Sequence, residues 1–161
     1  QAKQILVEIE QAGAHAMASM RQLVETLRTG ESPVEVSMNA QADLDDIARS
    51  IRESGIEANL AVGAFPDALA PTIVRLTREA VTNVRRHGLN ATVIDIVVSA
   101  DDTALYWSVS DNGRPTAHNP NPGYGLVGMR ERVESLRGQF QAGHDGERWT
   151  VSANFPMRPT Q

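Results

Sequence analysis

Apolar residues recur at helical spacing in the first part of the chain. Ile5, Ile9, Ala12, Ala16, Met20, Leu23 and Leu27 are three or four residues apart. This spacing predicts one stripe of an amphipathic helix. The stripe needs a partner helix to cover it. Gly30 and Pro33 then predict the end of the helix and a domain boundary.

Three more helices and five strands are predicted after this break. One helix begins near Asp43, with Asp46 as its capping-box partner, and ends at Gly55. The others cover residues 66–88 and 126–136, and the strands cover residues 56–62, 91–99, 103–110, 139–142 and 148–155. Because three strand pairings look like hairpins, we expect an α+β fold. It would be a two-layer sandwich, with a mixed, mostly antiparallel sheet and helices on one face.

One predicted helix carries a polar stripe opposite its apolar one. Glu79, Asn83 and His87 are spaced i, i+4 and i+8, and Arg86 lies beside them. A carboxylate, an amide, an imidazole and a guanidinium on one face suit either a ligand or a solvated surface. This motif alone favours the solvated surface.

Two glycine motifs follow. Asp111-Asn112-Gly113 ends a strand in a turn, and Gly123, Gly125 and Gly128 lead into the last helix. Backbone N–H groups at such a helix start suit an anion. The G-x-G-x-x-G spacing also matches the dinucleotide fingerprint. That interpretation fails because a strand must come first, and residues 119–122 are Asn-Pro-Asn-Pro.

Taken together, the three motifs resemble the ATP-binding domain shared by DNA gyrase, MutL and sensor histidine kinases. The narrower resemblance is to histidine kinases of the nitrate-sensor and desaturase-sensor type. The helix with Glu79 and Asn83 is similar to their N box, and the two glycine motifs are similar to their glycine boxes, including the GMRER ending at 128–132. The resemblance implies a Bergerat-type fold. It places residues 1–30 in the second helix of a dimerisation and phosphotransfer hairpin, and residues 31–161 in the catalytic domain.

The resemblance also implies ATP and Mg²⁺ as ligands. Asp111 would accept the adenine amine, Asn83 would bind the metal, and Glu79 would support the metal or polarise a hydroxyl, so that Glu79 and Asn83 are the catalytic candidates. The remaining nucleotide contacts would come from Arg86, His87, Gly113, Gly123, Gly125, Leu126, Gly128 and Thr150.

Two departures from the family pattern leave alternatives open. Pro115 stands where a second glycine is usual and changes the start of the loop over the nucleotide, and the turn at residues 146–150 is bulkier than usual. One alternative is a degenerate ATP-binding fold that serves as a protein-interaction module. Another is an anti-sigma-type serine kinase or a gyrase-like ATPase, against which the opening helix argues.

None of the four histidines fits a phosphoacceptor. His15 is followed by alanine, His87 belongs to the N box, and His118 and His144 are expected in loops. We therefore expect an acceptor upstream of this chain, which on its own would not autophosphorylate. The implied partners are a response regulator receiver domain and, in the intact kinase, a second copy.

Composition narrows the function further. The net charge of −5 argues against binding to nucleic acid or an anionic membrane surface. The absence of cysteine excludes disulfides and thiol catalysis. No apolar run approaches the roughly 20 residues of a membrane helix. We expect a cytoplasmic location, with a membrane anchor of the intact protein left open.

Overall fold

The structure is a computed structural model that describes residues 39–115 and 124–157. The predicted opening helix and its boundary near Gly30 lie outside the described residues. The same is true of Gly123 and of most of the segment predicted to cover a nucleotide.

Helices cover one face of a five-stranded sheet. The helices are α1 (Ala40–Glu53), α2 (Ala70–His87, after a 3₁₀ turn at Asp67–Leu69) and α3 (Tyr124–Ser135). The strands are β1 (Glu57–Val62), β2 (Gly88–Leu89), β3 (Val93–Ala100), β4 (Ala104–Asp111), β5 (Arg114–Pro115), β6 (Gln139–Asp145) and β7 (Arg148–Pro156). The large sheet has the order β1-β3-β4-β7-β6, and β1 pairs with β3 in parallel while the other pairs are antiparallel. The predicted mixed, mostly antiparallel α+β sandwich is confirmed.

The core lies between the helices and the inner face of the sheet. On β4, Leu105, Trp107 and Val109 are buried and alternate with more exposed residues. The predicted apolar stripe of α2 is buried as well, through Ile73, Leu76, Ala80 and Val84. Burial of these alternating and helical patterns is what holds the two layers together.

The structure differs from the predictions at the cap of α1, at the end of β6 and in one additional strand pair. Asn39, not Asp43, caps α1, because the Asn39 side chain accepts a hydrogen bond from the Ala42 N–H at 3.1 Å. His144 lies in strand β6 and not in a loop. The short antiparallel pair β2–β5, which joins Gly88 to Pro115, was not predicted.

Asp101 explains the tight turn between β3 and β4. Its carboxylate accepts hydrogen bonds from the backbone and the hydroxyl of Thr103, both at 2.7 Å, and from the Ala104 N–H at 2.9 Å. The hydroxyl and backbone donors lower the pKa of Asp101, since they stabilise its charged form.

A buried hydrogen bond ties α2 to the sheet, and its loss should be costly. The Trp107 indole N–H donates to the Thr77 hydroxyl at 2.9 Å, and that hydroxyl donates to the Ile73 carbonyl at 2.8 Å. Thr77→Val leaves the indole N–H unpaired, which should lower the free energy of unfolding by about 1–3 kcal/mol.

Thr82→Val is the matched control for urea unfolding, because exposed Thr82 makes the same bond to the carbonyl four residues back. Its expected effect is within about 0.5 kcal/mol of zero. Equal effects of the two substitutions would contradict the role given to Trp107.

Candidate functional site

The polar stripe of α2 lies at the edge of the core. Glu79 and Asn83 are half-buried, whereas Arg86 and His87 are exposed in the last turn of the helix. Positive side chains are favourable at a helix C-terminus. The half-burial of Glu79 and Asn83 argues against a merely solvated face, because both polar groups sit against neighbouring elements.

The carboxylate of Asp111 lies where the end of β4 meets the end of α2. Its residue is only 2% exposed, and Oδ1 accepts a hydrogen bond from the Gly113 N–H at 2.8 Å. A Cβ atom on Gly88 would lie 3.3 Å from this oxygen, and one on Gly113 would lie 2.8 Å from it. Position 113 therefore requires glycine for the backbone to close around the carboxylate, whereas at position 88 the stronger clash of a Cβ would be with the Val84 carbonyl oxygen at 2.8 Å.

The electrostatics of Asp111 follow from this enclosure. Burial raises the pKa of Asp111, while the Gly113 N–H and the positive charges of Arg148 and His144 oppose the rise. Every fully buried polar side-chain atom in the described part of the chain has a hydrogen-bond partner. Since no described residue donates to Oδ2 of Asp111, this second oxygen is not fully buried and keeps its acceptor capacity.

Asn112 holds the turn that carries Asp111. Its Oδ1 accepts hydrogen bonds from the N–H groups of Thr92 and Val93 at 2.9 and 3.0 Å, and its amide nitrogen donates to the Thr92 hydroxyl at 2.8 Å. Asn112 belongs to the first glycine motif but had no predicted role. The structure makes it a positioning residue.

Asn83 faces the start of α3. A Cβ atom on Gly125 would lie 3.0 Å from the Asn83 side-chain oxygen, so the amide packs against bare backbone there. Leu126 is partly buried against the core, and a Cβ on Gly128 would meet nothing within 4 Å. The structure thus brings Asn83 together with the second glycine motif, and Gly88 and Gly113 together with Asp111.

Glu79 is held in place by arginines. The Arg132 guanidinium of α3 donates to both oxygens of Glu79, at 3.1 and 3.2 Å, and Arg75 donates to one of them at 3.2 Å. Arg132 had no predicted role, although the GMRER ending contains it. The pair joins α2 to α3 directly beside Asn83.

Thr150 is not brought to this site. It pairs with Ser110 on the outer face of the sheet, whereas Asp111 pairs with Trp149 on the inner face that carries Val109 and Val151. A shift of one residue along a strand moves a side chain to the opposite face. Trp149 therefore occupies the position that the sequence analysis gave to Thr150.

The described residues hold no group of three or more histidine or acidic side chains that could bind a metal ion. No described helix is long and apolar enough to cross a membrane.

The chain is similar in sequence to bacterial sensor proteins, among them sensor histidine kinases. No family model matches the chain. It is 36% identical over 83 residues to the sensor histidine kinase YxjM of Bacillus subtilis, covering 52% of the chain and 20% of that relative. It is 28% identical over 155 residues to the sensor histidine kinase LnrJ of the same organism, covering 92% of the chain and 37% of the relative. The nitrate/nitrite sensor NarX of Escherichia coli is 24% identical over 139 residues, covering 84% of the chain and 23% of NarX.

Solved structures agree on the fold. The histidine kinase AdeS of Acinetobacter baumannii has a TM-score of 0.62 and 16% identity, covering 88% of this chain and 80% of AdeS. The blue-light activated histidine kinase of Erythrobacter litoralis has a TM-score of 0.57 and 23% identity, covering 70% of this chain and 40% of that one. The catalytic domain of the histidine kinase ThkA has a TM-score of 0.57 and 16% identity, covering 75% of this chain and 92% of that domain.

The described part of the chain has the fold of a histidine kinase catalytic domain. The chain is a homologue of the sensor histidine kinases, among them those of the NarX type, so the resemblance inferred from the three motifs is confirmed. It spans between 20% and 37% of the length of the three curated relatives named above.

The raised pKa of Asp111 predicts a pH-dependent cost to stability. The stability that this residue contributes is complete below its ordinary pKa of 3.8 and is lost as pH rises through the higher pKa of the folded state. Asp111→Asn does not titrate and retains an oxygen for the Gly113 N–H. Its free energy of unfolding, relative to the parent chain, should therefore increase between about pH 3 and neutrality.

Urea unfolding at several pH values measures this difference. Asp101→Asn is the opposite control, because the pKa of Asp101 is lowered. That substitution should lose stability relative to the parent as pH rises from acid to neutral. A difference between Asp111→Asn and the parent that is independent of pH would contradict the argument.

The Glu79–Arg132 pair should couple the two helices energetically. A double-mutant cycle with Glu79→Gln and Arg132→Gln should give a coupling free energy of about 1 kcal/mol, because both side chains are about three-quarters buried and the contact uses both oxygens. The Glu79–Arg75 pair, where Arg75 is more exposed, should give roughly 0.3–0.5 kcal/mol in the same measurement. Equal coupling in the two cycles would argue against a special link between α2 and α3.

Proposed function

We propose that this chain is the ATP-binding catalytic part of a two-component sensor histidine kinase. In this proposal it binds ATP with Mg²⁺ and passes the γ-phosphoryl group to a histidine, from which it moves to an aspartate of a response regulator receiver domain. The observation that carries the proposal is the enclosed carboxylate of Asp111, with one oxygen held by the Gly113 N–H and the other open to a ligand.

The base subsite follows from the hydrogen-bonding capacity of Asp111. An ionised carboxylate only accepts hydrogen bonds, so its open oxygen suits the exocyclic amine of adenine and not the carbonyl that guanine carries at the same ring position. Gly113 leaves room for the carboxylate, since a Cβ there would lie 2.8 Å from Oδ1, and a Cβ on Gly88 would come within 3.3 Å of the same oxygen. The residue thus supplies selection for adenine as well as affinity.

The phosphate subsite is proposed at the start of α3. Gly125 and Gly128 leave the backbone bare there, and a helix N-terminus favours an anion. Arg86 and His87, exposed at the end of α2, would add positive charge or hydrogen bonds. Gly123 belongs to the same glycine motif in the sequence.

The donor set fits Mg²⁺ held mainly by the nucleotide. The Asn83 amide oxygen is a hard ligand of the kind this ion prefers, and Mg²⁺ commonly takes one or two protein ligands together with phosphates and water. When bound, the ion would neutralise phosphate charge during transfer. Asn83 would orient the phosphates through it, while Glu79, fixed by Arg132, would hold α2 and α3 at the spacing this requires.

Phosphoryl transfer depends mostly on positioning and charge neutralisation. A histidine nitrogen attacks the γ-phosphorus in line with the departing ADP oxygen. The phosphohistidine then transfers its phosphoryl group to the receiver aspartate. We expect phosphoryl transfer to take place in the cytoplasm, where ATP is available. We also expect the intact kinase to be a homodimer.

Asp111→Asn should separate nucleotide recognition from folding. The new amide places a donor opposite the adenine amine, which should raise the Kd for ATP by roughly 10- to 100-fold, equivalent to about 1–3 kcal/mol. Calorimetric titration measures the change. Asp101→Asn, at the opposite end of β4, is the control and should bind as the parent does.

Asn83→Ala tests the metal-dependent part of the same proposal. It should weaken binding of ATP with Mg²⁺ and leave metal-free ADP binding little changed. No measurable ATP binding by the parent chain would reject the proposal and favour the degenerate interaction module, for which Pro115 is the sequence argument. Equal weakening of ATP binding with Mg²⁺ and of metal-free ADP binding would mean that Asn83 has a structural role.

A further inference from the structure

A row of inward-facing residues crosses the end of the sheet at Asp111. On β4, Asp111 lies directly opposite Trp149 of β7, and Trp149 lies directly opposite His144 of β6. Residues that face each other across antiparallel strands have Cβ atoms about 4.5–5.5 Å apart. The indole of Trp149 therefore starts beside the carboxylate that the proposed base subsite uses.

His144 supports Trp149 from the side away from Asp111. The two ring centroids are 5.1 Å apart at an interplanar angle of 71°, an edge-to-face contact. Strand β7 lies between β4 and β6, so His144 and Asp111 are the neighbours of Trp149 on its two sides along the sheet. The orientation of Trp149 is thereby constrained on one side by an aromatic ring.

Trp149 differs from the aromatic residues of the core. Trp107 and Phe155 are each 1% exposed, whereas Trp149 is only partly buried and packs at the margin of the core. Part of the Trp149 residue is therefore exposed, directly across the strand pair from Asp111. A planar base that carries an amine would satisfy both neighbours, by stacking on the ring and by donating to the carboxylate.

We propose that Trp149, supported by His144, forms the aromatic wall of the base subsite and supplies stacking affinity for the nucleotide base, while Asp111 selects adenine. This inference rests on the proposed ATP-binding function and adds a residue to it. Thr150, on the other face of the sheet, then makes no contact with the base.

The test measures binding of ATP, adenosine and inorganic tripolyphosphate to Trp149→Ala and Trp149→Phe. Trp149→Ala should weaken the binding of ATP and of adenosine by a similar factor of about 10, which is on the scale of base–aromatic stacking. It should leave the binding of tripolyphosphate unchanged. Trp149→Phe keeps an aromatic ring, so its Kd values for ATP and adenosine should stay within about threefold of those of the parent. Ser152→Ala, on the outer face of the same strand, is the matched control.

Tryptophan fluorescence supplies a readout that does not depend on activity. Adenosine should change the emission of the parent chain and leave that of Trp149→Phe unchanged, because the remaining Trp107 is buried in the core. This measurement also keeps the inference testable if Trp149→Ala does not fold.

Three outcomes would overturn the inference. In the first, Asp111→Asn weakens ATP binding but Trp149→Ala binds ATP and adenosine like the parent. The base then does not contact the indole, and the proposed function stands without this inference. Tighter binding to Trp149→Ala would mean that the indole occupies the subsite itself. If the parent binds neither ATP nor adenosine, the proposed function fails and this inference fails with it.

Discussion

The buried carboxylate of Asp111 constrains the part of the molecule that surrounds it. A charged group in an apolar setting is costly unless polar neighbours compensate, and here the backbone N–H of Gly113 does so at 2.8 Å. The end of α2 also lies close to the carboxylate, because a Cβ on Gly88 would be 3.3 Å from Oδ1 and 2.8 Å from the Val84 carbonyl oxygen. Asn112 then secures the turn to Thr92 and to Val93, the first residue of β3. A buried carboxylate that destabilises the fold but is held in place by three neighbouring residues is typical of a binding site.

Helix α2 connects this carboxylate to the start of α3. Its apolar stripe is buried on the sheet, and its half-buried polar residues contact α3, Asn83 against Gly125 and Glu79 through Arg132. One rigid element therefore sets the distance between the proposed base and phosphate subsites. Across the strand pair from Asp111, Trp149 is the residue that we propose as the wall of the base subsite.

Much of the fold was predictable because its signals are local. The apolar stripe of α2, the Pro71 near its start and Gly88 at its end are properties of one segment, and burial of that stripe is enough to select a helix. Alternation predicted the strands of the main sheet in the same way. The three motifs also predicted the homology, since their order along the chain is specific even though each motif is weak alone. The cap of α1 was missed because Asn39, Asp43 and Asp46 are all suitable residues within a few positions.

The site needed tertiary structure wherever a contact joins distant parts of the chain. The Glu79–Arg132 pair links residues 53 positions apart, and no helical period relates two different helices. Whether Trp149 or Thr150 faces Asp111 depends on the register between β4 and β7, in which one step exchanges the two faces of the sheet. The amino-acid sequence by itself thus determined the elements, the fold class and the chemical types of residue available to the site. Only packing decided which of those residues meet, because register and helix contacts are settled by burial of the whole core at once.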